Sequence, residues 1–158
     1  MDTAFAGAWA RRSPRAFPTN RLQVLALASI IEKETAKPSE RRMVAGVYTN
    51  RLRHGMRLQA DPPVIYPITE GKALGRRIRQ SETRAVNGYN TYAMAGLPVG
   101  PIANPSRESL RAALDPESTR AIYFVADGSG GHIFANTLAE HNANVRRWFA
   151  IRRQRGEL

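Results

Sequence analysis

The longest apolar stretch of the chain runs from Leu22 to Ile31, where only Gln23 and Ser29 are polar, and it stops at Glu32-Lys33-Glu34. Ala, Leu, Glu and Lys dominate residues 22–37 and all favour helix. The apolar positions fall almost all round the helical wheel, which predicts a buried helix. Thr19 or Asn20 supplies its cap. Pro38 ends it, because the residue before a proline is driven out of the α region. Ser39 caps a second helix in which Met43, Val44, Val47, Tyr48 and Leu52 recur at helical spacing up to His54-Gly55, with glycine in the C′ role. The short link predicts that the two helices pair antiparallel.

The rest of the chain is less regular. Residues 3–12 form a short helix, broken by Ser13-Pro14 and Phe17-Pro18. Residues 56–67 read as extended, since three prolines forbid helix and disfavour a central strand. Residues 68–86 are polar, basic and weakly patterned, with room for one short helix. Residues 87–105 (NGYNTYAMAGLPVGPIANP) form a rigid, aromatic-lined loop too long to be a mere connector. Ser106 to Leu114 is a helix stopped by Pro116. Ala121 to Ala126 and His132 to Asn136 are strands of a hairpin. The glycine-rich run between them lacks the lysine-serine ending of a phosphate loop and is read as a turn. Thr137-Leu-Ala-Glu140 is a capping box, opening a last helix that buries Leu138, His141, Val145, Trp148 and Phe149. The expected architecture is one α+β domain over residues 1–158, several helices with a small antiparallel hairpin.

Composition narrows the partners. Hydrophobic content of 42% and charged content of 23% are those of a soluble globular domain. No apolar run is long enough to span a bilayer, and the N-terminal apolar segment precedes its arginines, the wrong order for a signal peptide. Cysteine is absent, and the three histidines lack zinc spacing. No metal or cofactor is expected. A net charge of +11 points to an anionic partner, yet 21 of the 24 basic residues are arginines spread along the chain, with no nucleic-acid recognition motif. Nucleic acid is not the expected partner.

A carboxylate at the end of an apolar helix must find partners, keep a water path or hold its proton. Glu32 is the residue this singles out. Its neighbours at three and four positions, Ala28, Ser29, Thr35 and Ala36, are small and leave room for a ligand, while Glu34 points roughly 200° away. The plainer alternative is a solvated helix end. Glu140 reads as a cap and His141 as a core histidine.

Five words occur in order: LASIIEKET (27–35), ERRMVAGVYTNRL (40–52), GMRLQADPPVIY (55–66), YNTYAMAGLPVGPIANP (89–105) and YFVADGSGGHIFANTLAEHN (123–142). Together they resemble the catalytic domain of the endolytic murein transglycosylases, the YceG-like family, over residues 3–150. The resemblance implies a lysozyme-like single-glutamate site that cuts the MurNAc-β-1,4-GlcNAc bond of nascent peptidoglycan and leaves 1,6-anhydromuramoyl ends. It places the catalytic glutamate at Glu32, whose pKa desolvation at the end of the apolar helix is expected to raise. Gln59, Asp61, Asn90, Tyr92 and His132 are expected to position substrate. It also implies peptidoglycan synthases as neighbours, and an inner-membrane location through an anchor that, with a LysM-like subdomain, is absent from these residues. Pro63, Asn87-Gly88 and Val99 depart from the family words and bear on the shape of the glycan groove. The alternatives are a non-catalytic peptidoglycan-binding module, or a hydrolase pairing Glu32 with Asp61.

Overall fold

Helix α2 (Arg21–Glu34) has no polar stripe wide enough to leave outside, and the fold closes around it. Val24 and the run from Ala26 to Ile31 are buried. In the computed structural model, which describes residues 2–70 and 72–158, α2 is preceded by α1 (Asp2–Ala10). It is followed by a 3₁₀ turn (Pro38–Glu40), α3 (Arg41–Arg53), α4 (Asp61–Thr69), α5 (Gln80–Arg84) and α6 (Arg107–Leu114). Strands β1 (Tyr123–Ala126) and β2 (His132–Ala135) and helix α7 (Leu138–Gln154) complete the chain. The side chain of Asn20 accepts from Gln23 N at 2.9 Å, capping α2 as its type predicts.

Helix α2 packs on α6, α3 and α4, and α1 covers α6. Leu27, Ile30 and Ile31 meet Val44 and Tyr48 of α3 and Leu110, Ala113 and Leu114 of α6 in one core. A single side chain of this kind, fully buried, contributes about 1.5–3 kcal/mol. The two strands pair antiparallel with Tyr123 opposite Ala135 and Ala126 opposite His132. The carboxylate of Asp127 accepts from the N–H and hydroxyl of Ser129 at 2.8 and 2.6 Å, closing the expected turn. The hairpin is tied to α3 by Asn50, whose Nδ2 donates to Thr119 O and Ala121 O at 2.8 and 2.9 Å. Phe124 adds an edge contact with Tyr48, 5.7 Å between ring centres.

Three expectations fail here. Ser39 lies inside the 3₁₀ turn and does not cap α3, which starts after Glu40 with no side-chain cap bond. Residues 61–67, expected to be extended, lie in helix α4. Pro62 and Pro63 fall in the first turn of α4, where the backbone N–H groups need no partner inside the helix. Helix α7 buries none of its residues: Leu138 is 56% and Phe149 43% exposed, and His141, Val145 and Trp148 are only half-buried. It packs mainly on the two-stranded ribbon, which is too narrow to cover an apolar stripe. Glu140 does serve the start of α7: its N–H donates to Thr137 Oγ1 at 3.2 Å, and its carboxylate accepts the same hydroxyl at 3.0 Å.

Gly46 fixes how closely α3 approaches the segment before the hairpin. A Cβ there would meet the Glu117 carbonyl oxygen at 2.9 Å and Thr119 Cγ2 at 2.8 Å. Since backbone cannot swing aside as a side chain can, Gly46→Ala is expected to destabilise the fold by about 1–3 kcal/mol. A lower urea midpoint with an unchanged m-value would register this; an unchanged midpoint would show that the segment yields freely.

Candidate active site

The last turn of α2 carries two glutamates on different faces, and the fold treats them differently. Glu32 lies on the face of Ser29, towards α6. Its Oε1 accepts from Ser106 N at 2.7 Å and from Ser109 Oγ at 3.0 Å. Ser106 caps α6, so a carboxylate sits where the helix presents free N–H groups and the positive end of its dipole. Ser29 does similar work one turn earlier, where its buried Oγ accepts from Ile102 N at 3.0 Å. Burial works to raise the pKa of Glu32, but the Ser106 N–H, the two serine hydroxyls and the charge of Arg41 outweigh it. The group is held below the ordinary carboxylate value. This corrects the expected raised pKa. The small neighbours Ala28 and Ser29 are both fully buried and leave no open room beside Glu32.

Glu34 faces a cavity of about 350 Å³ between α2, α3, the start of α4 and β1. Tyr48 and Arg51, three apart on α3, line it with Gln59, Asp61, Tyr92 and Tyr123. Glu34 Oε2 is sealed from solvent and has no hydrogen-bond partner. Burial pushes the pKa of Glu34 up to about 7, and the nearby Asp61 adds to the rise. The hydroxyl of Tyr48 and the charge of His132 pull it back only in part. The result is a carboxylic acid that carries its proton near neutrality, with Oε2 without a protein partner.

Of the residues singled out from sequence, Gln59, Asp61 and Tyr92 come together around this cavity. Gln59 holds a left-handed φ of 53°, a conformation that costs a non-glycine residue about 1 kcal/mol or more and that recurs at functional sites. Tyr92 donates to Asp61 Oδ1 at 2.6 Å, and burial, followed by the carboxylate of Asp61, pushes the phenol's pKa up. Asn90 and His132 are not on the cavity wall. The side chain of Asn90 is fully buried, donating to the carbonyls of Glu82, Thr83 and Ala85 and accepting from Tyr92 N. Its donors are spent on holding α5 against the 87–105 loop. His132 pairs through Nδ1 with Glu40 at 2.8 Å, and its N–H donates to the other oxygen of the same carboxylate.

Glu34, Tyr48, Arg51 and Tyr123 are the residues of the site that sequence reasoning passed over. The available signal was the second glutamate of the same helix end, one face round from the wall of small residues. His141 also borders the cavity, stacked on Tyr123 at 4.8 Å between ring centres. Burial and the charge of Arg51 hold its pKa down.

A sequence model of the YceG-like family matches residues 2–147. The chain is 36% identical over 133 residues to the endolytic murein transglycosylase of Bacillus subtilis (strain 168), covering 84% of this chain and 36% of that protein. It is 36% identical over 129 residues to the protein of the same name from Streptococcus pneumoniae serotype 2 (strain D39 / NCTC 7466), covering 78% and 23%. A crystal structure of a putative yceG-like protein, lmo1499 from Listeria monocytogenes, superposes with a TM-score of 0.69 at 41% identity, covering 77% of this chain and 38% of that one. The chain thus spans less than two fifths of the length of each of these relatives.

Proposed function

Since the chain belongs to the YceG-like family, we propose that it is the catalytic domain of an endolytic peptidoglycan lytic transglycosylase, with Glu34 as its acid and base. The observation that carries this reading is a buried carboxyl, protonated near neutrality, facing a polar cavity with one oxygen unpartnered. The names of the curated relatives support murein as the substrate.

The proposed steps draw on that geometry. Glu34 gives its proton to the glycosidic oxygen as the bond from the muramoyl C1 to that oxygen breaks. The same muramoyl unit's 6-hydroxyl then closes on C1, and Glu34, now a carboxylate, takes the hydroxyl proton. No water is consumed, and the acid is regenerated with its proton. Gln59, with its amide, and Asp61, with the Tyr92 hydroxyl on its Oδ1, are placed to hold sugar hydroxyl and N-acetyl groups. The bond cut is the β-1,4 link from MurNAc to GlcNAc, and cutting within nascent strands limits their length. The proposed setting of the reaction is beside peptidoglycan synthases at the periplasmic face of the inner membrane, as the family resemblance implies. No described helix is long and apolar enough to cross a membrane.

Mass spectrometry of uncrosslinked glycan strands after incubation with the chain tests the reading. Products about 18 Da lighter than hydrolytic ends are expected, since the internal alcohol replaces water. Hydrated reducing ends would instead indicate a hydrolase that uses Asp61 as the second carboxylate of the same cavity. Because Glu34 must enter the reaction protonated, kcat/KM is expected to fall as pH rises through about 7. A rate flat from pH 5 to 9 would remove Glu34 from the role of acid.

A further inference from the structure

Arg51 is 93% buried, with 7% relative exposure, yet it lines the cavity that holds Glu34. Two of its nitrogens are committed to backbone: Nε donates to Ile122 O at 2.7 Å and Nη1 to Arg57 O at 2.8 Å. Its guanidinium carbon stands 5.0 Å from the centre of the Tyr123 ring. No carboxylate among the described residues forms an ion pair with it. Asp61, on the same cavity, has Oδ1 on the Tyr92 hydroxyl, and the nearby Glu34 holds its proton near neutrality. Nη2 has no hydrogen-bond partner among the described residues. A buried cation held by carbonyls and a ring face, with no counter-charge, is costly to the free protein and is relieved by an acyl oxygen brought in by a ligand.

Resting on the peptidoglycan reading of this same cavity, we propose that Arg51 binds the acyl oxygen of the lactyl substituent that distinguishes muramoyl from glucosaminyl units. The N-acetyl group occurs on both sugars and cannot tell them apart. The lactyl group occurs on one, and in strands stripped of peptide it is a carboxylate, the partner a planar guanidinium favours most. Recognition there sets which sugar stands at the cleavage point. It also sets which 6-hydroxyl attacks, because that hydroxyl belongs to the unit Arg51 selects. The lone oriented guanidinium therefore acts on specificity.

The test is calorimetric binding of two oligosaccharides of equal length, a peptide-free alternating MurNAc-GlcNAc oligomer and a chitin oligomer, to the chain carrying Glu34→Gln so that neither is consumed. A preference of about tenfold or more for the muramoyl oligomer is expected, the effect of one charge-assisted hydrogen bond. Adding Arg51→Met should bring the ratio to near one. Adding Arg51→Lys, which keeps the charge but not the fork, should keep part of it. Equal affinities in the Arg51 protein would overturn the inference, as would an unchanged ratio in a folded Arg51→Met protein. If Arg51→Met does not fold, the ratio in the Arg51 and Arg51→Lys proteins decides. Binding of both oligomers without discrimination would defeat this inference alone. Failure to bind either, together with no cleavage of strands by the native chain, would defeat the peptidoglycan reading and this inference with it.

Discussion

Glu34→Gln is expected to lower the rate of glycan cleavage by roughly 10²–10⁴-fold, the contribution of a positioned acid-base group, and to make the protein more stable above neutral pH. The two effects have one cause. In the folded chain the carboxyl of Glu34 is buried and its pKa lies at about 7, above the ordinary value of 4.5. A group raised in this way stabilises the fold fully below its unfolded pKa, and that contribution is lost as pH rises through about 7. At pH 8 the native chain holds a charged carboxylate in a place that disfavours it. Glutamine is neutral at every pH, so the variant is spared that loss. The difference approaches roughly 3 kcal/mol at pH 8 and vanishes near pH 4, which corresponds to a rise in Tm of several degrees at the higher pH only. Thermal melts of both proteins at pH 4 and pH 8, beside the cleavage assay, measure it. Inactivity with a lower Tm at both pH values would mean that glutamine broke the site sterically, and full activity would move the acid elsewhere.

What could be read beforehand follows the strength of the local signal. Helices α2 and α3 and the hairpin were legible because their periods and turn residues are strong, with Asn20 capping α2 before Gln23 and Asp127 turning the chain before Ser129, even though α3 has no side-chain cap. Helix α4 was not, because three prolines in twelve residues read as breakers, whereas Pro62 and Pro63 sit in its first turn and only Pro67 lies inside it. The expected burial of α7 failed for another reason: periodicity says which residues share a face, not whether anything wide enough lies opposite. The cavity was half legible. Gln59, Asp61 and Tyr92 were found through the words that carry them, but tertiary structure alone brings Tyr48, Arg51 and Tyr123 to the same place. Small residues flanking a helical glutamate have two physical meanings, space for a ligand or close approach of another helix. At Glu32 the second holds, since Ser106 and Ser109 of the α6 start fill that space.

Glu32→Ala is expected to act on stability, with a loss of about 2–4 kcal/mol. The substitution strands two donors at once: the N–H of Ser106 and the hydroxyl of Ser109, the latter fully buried. Each donor left without a partner away from water costs about 1–3 kcal/mol, and the α6 start also loses the negative charge that faces its dipole. The pH dependence runs opposite to that of Glu34. The pKa of Glu32 is held below its ordinary value by the Ser106 and Ser109 bonds and by Arg41, against the effect of burial. Its contribution is therefore present above pH 4.5 and is lost as pH falls through the lowered folded value, so the penalty of Glu32→Ala should be largest at neutral pH and shrink in acid. Glu32→Gln separates the two kinds of role. Its amide oxygen can still accept from Ser106 and Ser109, so the fold should survive with a smaller loss and glycan cleavage should persist. Urea denaturation at pH 7 and pH 3, with the cleavage assay run on Glu32→Gln and Glu34→Gln in parallel, decides between the two glutamates. Abolished cleavage in a stably folded Glu32→Gln protein, with activity retained in Glu34→Gln, would return the catalytic role to Glu32 and leave Glu34 as a buried acid without chemistry.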